Sequence, residues 1–216
     1  MLILALTKVS RKLDYKNIFI LRHAETDFNK RGVVQGSGID APLNDTGKAQ
    51  ARAFYTRYKN YPFDKIYISA LQRTLQTVKE FIDAGIPYEK LKGLNEINWG
   101  VFEGKQITPA HNEYYKMLTE NWQNGMVDYR IDGGESPLMV QKRQQKDMER
   151  ILSRPEEENV LICMHGRAMR ILLTTLLNYP LSSMDRFAHQ NAGFYHLTYN
   201  ENTFSLVKAN DTGHLG

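Results

Sequence analysis

An arginine and a histidine stand side by side where an apolar run ends: Ile18-Phe19-Ile20-Leu21 leads into Arg22-His23-Ala24-Glu25-Thr26. The run reads as a strand covered on both faces, so the pair emerges at a strand end. A guanidinium presents a planar fork that matches phosphate oxygens. A neutral imidazole nitrogen can attack phosphorus and carry the phosphoryl group covalently. Arg22 and His23 are therefore candidates for capturing and attacking a phosphate ester. A second apolar run, Val160-Leu161-Ile162-Cys163-Met164, ends on His165-Gly166, where the glycine permits close backbone approach and a helix start. A third, Lys65-Ile66-Tyr67-Ile68, follows the turn signal Pro62-Phe63-Asp64 and leads to Arg73. Both arginines thus come shortly after strands, where open α/β sheets place ligands.

Helical patterns lie between these strands. Ala51, Phe54, Tyr55 and Tyr58 fall at helical spacing after capping candidates Asn44 to Thr46, and Leu71, Leu75, Val78 and Ile82 make a second stripe. A third helix is expected from Ser136-Pro137 to about Ser153, stopped by Arg154-Pro155, and a fourth over 168–177. Gly193 to Tyr199 and Thr203 to Val207, joined through Asn200-Glu201-Asn202, read as an antiparallel hairpin at a sheet edge. The pattern implies an α/β fold: a three-layer αβα sandwich with a mostly parallel sheet. Residues from about 97 to 130, rich in Asn, Tyr, Trp, Glu and Gly, read as a small helical lid insertion, with a helix over 110–122. Most of its aromatic residues are expected to pack rather than to touch a ligand.

Four segments together resemble the histidine phosphatase superfamily, the phosphoglycerate mutase-like clan, over about residues 17–199. Leu21-Arg22-His23-Ala24-Glu25-Thr26 is similar to its signature at the end of the first strand, with Gln35 through Gly47 similar to the loop that follows. Ser69-Ala70-Leu71-Gln72-Arg73-Thr74 resembles the turn that brings in a second phosphate-binding arginine. Leu94-Asn95-Glu96-Ile97-Asn98-Trp99-Gly100-Val101-Phe102-Glu103-Gly104 resembles the acid-bearing motif, and Met164-His165-Gly166 the second histidine. The resemblance implies one catalytic domain over 16–216. In it His23 forms a phosphohistidine, Arg22, Asn29, Arg73 and His165 bind the phosphate, and Glu96 protonates the leaving oxygen and then activates water. His165 counts among the catalytic residues with His23 and Glu96. Neither a metal nor another cofactor is implied. Glu25 and Glu103 compete with Glu96 for the acid role, Glu25 reading as a loop-ordering residue. Ala24 departs from the glycine of the best-known motif; a positive φ there would cost about 1 kcal/mol.

Rival chemistries fail on spacing. A cysteine phosphatase needs Cys-x5-Arg, but Met169 occupies the position that Cys163 would require. An NTPase loop needs Gly-Lys-Ser/Thr, and Gly47-Lys48 continues with Ala49. Within the family, the ending aromatic-Glu-Gly at 102–104 is closer to the phosphatase pattern than to the mutase pattern. The expected activity is phosphomonoester hydrolysis on a small phosphorylated metabolite. A cofactor-dependent phosphoglycerate mutase and a non-catalytic phosphate-binding module are the alternatives. Lys105, His111, Lys116 and Arg130 are candidates for recognising a second acidic group.

The 216 residues carry a net charge of +4 spread along the chain, which indicates neither nucleic-acid nor membrane binding. One cysteine and six histidines without dense spacing argue against a disulfide framework or structural zinc, and point to the cytoplasm. The apolar start, Met1 to Leu6, precedes its basic residues, the wrong order for a secretory signal. Residues 1–15 read as a leader or an N-terminal extension.

Overall fold

The computed structural model describes residues 15–216; the expected leader lies, but for Tyr15, outside them. In chain order the elements are β1 (Lys16–Arg22), α1 (Asp27–Arg31), α2 (Asp45–Tyr58), β2 (Lys65–Ile68), α3 (Gln72–Thr77), α4 (Lys79–Asp83), β3 (Tyr88–Lys90), α5 (Pro109–Gln123), α6 (Pro137–Leu152), β4 (Asn159–Met164), α7 (Gly166–Leu176), β5 (Phe194–Asn200) and β6 (Thr203–Asp211). One six-stranded sheet runs β3-β2-β4-β1-β5-β6. Its first four strands are parallel, and β5 and β6 are antiparallel.

Strand alternation builds the three layers. Ile18, Ile20, Val160, Ile162 and Met164 point to one face and join Val140, Ile151, Ile171 and Leu172 of α6 and α7. Phe19, Leu21, Ile66, Ile68, Leu161 and Cys163 point to the other and meet Phe54 of α2 and Phe81 of α4. The period-two pattern of a doubly covered strand thus produces two separate cores. Burial pushes the Cys163 thiol pKa far up, as suits a core residue. Among the described residues no helix is long and apolar enough to cross a membrane.

The register places the chemistry. Arg22 pairs with Met164, and Ile68 with Cys163, so His23, Ser69 and His165 leave the carboxyl ends of three adjacent strands together. Two local features differ from the sequence expectation. The helix expected through Leu71, Leu75, Val78 and Ile82 breaks at Val78 (φ −110°) into α3 and α4. Just before the break, Thr77 Oγ1 donates to the Arg73 carbonyl and accepts from Ala24 N–H, side-chain bonding of the kind that bends helices. The three-residue β3, largely exposed at the sheet edge, carries no apolar pattern and is held by its register with β2.

The hairpin closes through Glu201 and Asn202, both with positive φ, as a two-residue turn requires. Its second strand extends to Asp211, four residues beyond the expected Val207.

Candidate functional site

His23 is 3% exposed, and its Nδ1 lies 2.8 Å from the carbonyl oxygen of Ala24. Nδ1–H donates there, so Nε2 carries the lone pair. Burial, reinforced by Arg73 and Arg22, holds the His23 pKa well below the usual 6.5, and the ring is neutral. Ala24 is fully buried and is not among the residues with positive φ, so alanine is unstrained where glycine is the better-known residue. Its carbonyl supplies what matters to the tautomer.

Two guanidiniums flank this ring. Arg22 ends β1 with a buried Nε that has no acceptor among the described residues. Arg73, in the first turn of α3, is fully buried; it donates from Nε to His165 Nδ1 (3.1 Å), from one terminal nitrogen to Ile39 O (2.7 Å) and from the other to Gly36 O (3.2 Å). With its amide assigned so that nitrogen faces Thr26, Gln35 also accepts from Arg73 at 3.0 Å. Burial lowers both arginine pKa values to about 10, with Glu96 opposing the shift. Two desolvated cations held this close are poised for an anion.

His165 is fully buried, its ring centre 5.1 Å from that of His23. Because Nδ1 accepts from Arg73, Nε2–H donates to Ser69 Oγ (2.8 Å), and burial with Arg73 keeps the ring neutral. Ser69 also accepts from Leu71 N–H and contacts Thr74 Oγ1. His165 therefore fixes Arg73 against β2 through both nitrogens. Asn29 lies in the capping box of α1, where its Oδ1 takes Thr26 N–H (3.2 Å) and Asn191 Nδ2 (3.1 Å). That turns the donor side of the Asn29 amide away from these partners. Asn191 Nδ2 also reaches the His23 carbonyl (3.1 Å), tying the start of β5 to the site.

Glu96 is 7% exposed. Its Oε1 accepts from Ile97 and Ala168 N–H, and its Oε2 from Arg167 N–H alone (3.1 Å). The carboxylate caps α7, whose first amides therefore face Glu96. Oε2 keeps the freer lone pair.

The competing carboxylates have structural partners. Glu25 accepts from Asn44 Nδ2. Glu103 accepts from Trp99 N–H (3.0 Å) and Gly38 N–H, and burial raises its pKa. A Cβ on Gly36 would lie 2.1 Å from Glu103 Oε1, so glycine is what lets this loop close on the carboxylate and present its carbonyl to Arg73.

Other contributors gave little sequence signal. Arg143 of α6 holds the bidentate carboxylate of Glu135 and the carbonyls of Gly93, Asn95 and Glu96, pinning the acid-bearing segment. In sequence it is one polar residue of an amphipathic helix. Arg167 of α7 donates to Asp185 and to the Tyr115 hydroxyl of α5 and lies over Trp122, joining the lid to the residue that donates to Glu96. His189 packs on Gly166, where an added Cβ would lie 2.8 Å from the ring; burial and Arg22 lower its pKa to about 3. The lid helix spans Pro109–Gln123 with Thr108 as cap, close to expectation. Of the lid cations, Lys116 pairs with Glu120 and Arg130 donates to Met139 Sδ. The His111 ring lies against Phe102 at a tilt of 44° and donates to the Gln106 carbonyl.

Residues 18–212 match the family model of the histidine phosphatase superfamily (branch 1). A Yersinia pestis protein named probable phosphoglycerate mutase GpmB is 31% identical over 207 residues, covering 92% of this chain and 94% of that protein. The solved structure of Bacillus stearothermophilus YhfR is 26% identical, with a TM-score of 0.79 over 93% of this chain and all of the other. Alpha-ribazole phosphatase from Shigella flexneri, 23% identical, shares the fold with a TM-score of 0.79 over 90% of this chain and 96% of its own.

Proposed function

The chain belongs to branch 1 of the histidine phosphatase superfamily, and from that membership we propose that it hydrolyses small phosphomonoesters through a phosphohistidine on His23. One observation carries the reading: a neutral, buried imidazole whose Nδ1–H is fixed on the Ala24 carbonyl, leaving Nε2 nucleophilic beside two desolvated guanidiniums. Nε2 attacks phosphorus and the ester P–O bond breaks, while Arg22 and Arg73 match the charge on the equatorial oxygens. The Asn29 amide adds a neutral donor. His165 holds Arg73 in place and supports the phosphate pocket from behind. Glu96, through Oε2, gives a proton to the departing oxygen. Water then attacks the phosphohistidine, Glu96 takes its proton, and inorganic phosphate leaves with His23 neutral again. The charge complement comes from the protein, so turnover is expected to persist in excess chelator. A small phosphorylated metabolite in the cytoplasm is the expected partner.

Phosphoglycerate mutase activity is the second reading, favoured by the likeness to the Yersinia pestis protein named probable phosphoglycerate mutase GpmB. The two part at the phosphoenzyme, which a mutase returns to a phosphorylated acceptor and a phosphatase surrenders to water. Phosphate release from a panel of monoesters in excess chelator, wild type beside His23→Ala, with trapping of an acid-labile phosphoenzyme, decides among the readings. Release that disappears in the variant supports hydrolysis. A trapped phosphoenzyme with little release supports the mutase. Ligand binding with neither leaves a phosphate-binding module.

A further inference from the structure

Lid residues and Gln35, which accepts from Arg73, enclose a cavity of about 350 Å³, within the range of about 300–1,000 Å³ found for small-molecule sites. Its walls are Val34, Trp99, Phe102, Ile107 and Tyr115, with Gln35, Asn112 and His111 as the polar members. Three of these residues tie it to the chemistry. Gln35 accepts from Arg73, Trp99 donates its backbone N–H to Glu103, and Tyr115 meets the side chain of Arg167, whose N–H bonds to Glu96.

Among the described residues, no lysine or arginine lines the cavity. Lys105, Lys116 and Arg130 are exposed and lie outside the lining, and the charge of Arg167 is met by Asp185. His111 presents a ring tilted against Phe102, with Nδ1 held by the Gln106 carbonyl. A carboxylate or second phosphate placed here would lose its water without meeting a free cation, which is unfavourable. An alkyl or aryl group would exchange water for aromatic and aliphatic walls.

We propose that this cavity receives the leaving group and selects phosphomonoesters of apolar alcohols, alkyl or aryl, over esters that carry a second anionic group. The proposal rests on the phosphatase reading for turnover and on the cavity alone for ligand class.

Methyl, butyl and hexyl phosphate test it, because their alcohols are nearly equal in acidity and chain length isolates the contribution of the cavity. One fully buried methylene at about 0.8 kcal/mol converts to about fourfold in kcat/KM. A rise of at least about tenfold from methyl to hexyl phosphate is expected, with hexyl phosphate ahead of 3-phosphoglycerate. In Ile107→Lys, whose parent side chain is 44% exposed and tolerates a charged tip, the hexyl-to-methyl ratio should fall and 3-phosphoglycerate should gain. Methyl phosphate is the internal reference for folding. A flat series, or 3-phosphoglycerate preferred by wild type, overturns the proposal. Calorimetry with methyl- and hexylphosphonate separates the two readings: tighter hexyl binding without turnover of any ester sinks the phosphatase reading and keeps the ligand class, whereas equal binding sinks the ligand class.

Discussion

Acidification to about pH 5 should strip several kcal/mol from this fold, and His23 should account for a definable share. The rings of His23 and His165 are held neutral well below 6.5 by burial and by the adjacent arginines. In the unfolded chain each takes a proton as pH drops through about 6.5. The unfolded state then binds more protons than the folded one, so stability is complete above 6.5 and falls with pH below it. At about 1.4 kcal/mol per pH unit, the 1.5 units from 6.5 to about pH 5 cost at most about 2 kcal/mol per histidine, the limit for a ring that stays neutral throughout. The pair therefore costs at most about 4 kcal/mol of a total that is usually about 5–15 kcal/mol. His189, His196 and His214 shift the same way and add to the loss. Glu103 and Asp147, whose pKa values burial raises, oppose it. Urea unfolding near pH 7.5 and pH 5, in phosphate-free buffers, measures the change. His23→Asn keeps a donor for the Ala24 carbonyl and lacks the titration, so its acid loss should be smaller than wild type, by up to about 2 kcal/mol; contributions of the other groups cancel in that difference. Equal acid losses in the two proteins would refute the claim that a neutral, desolvated His23 is built into the site.

Arg73→Ala should lower kcat/KM by at least about two orders of magnitude, the loss typical of one preorganised donor at developing charge; steady-state rates on one monoester check it. Gly36→Ala forces a Cβ against Glu103 and moves the carbonyl that holds Arg73, so both the melting temperature and kcat/KM should drop, the latter about tenfold or more. Arg143→Ala leaves Glu135 and three carbonyls around Glu96 without their donor; a stability loss of about 2 kcal/mol in urea is expected. Because alkyl alcohols need protonation more than phenols do, its rate on alkyl phosphates should fall further than its rate on aryl phosphates. A uniform fall would remove Arg143 from the positioning of Glu96.

Much of this protein is legible in its chain. Apolar runs that alternate between two covered faces dictate doubly buried strands, and each of the three read from the sequence ends near a residue of the candidate site: His23, His165 or, one turn further on, Arg73. Helix caps at Asn44 and Ser136 are local hydrogen-bonding rules, so their positions follow from sequence. The tertiary structure decided what depends on partners far apart in the chain. Glu96 and Glu103 are equivalent as residue types. Only packing against the amides of α7 and against Gly36 gives one an oxygen beside the site and the other a loop to hold. His165 turned out to spend both nitrogens on Arg73 and Ser69, which no spacing announces. Arg143, Arg167 and His189 act through contacts that cross between elements, and a polar residue on a helix carries no mark of which backbone it will meet. The helix break at Val78 and the edge strand β3 belong to the same class: both arise where a contact supplied by folding outweighs a weak local preference.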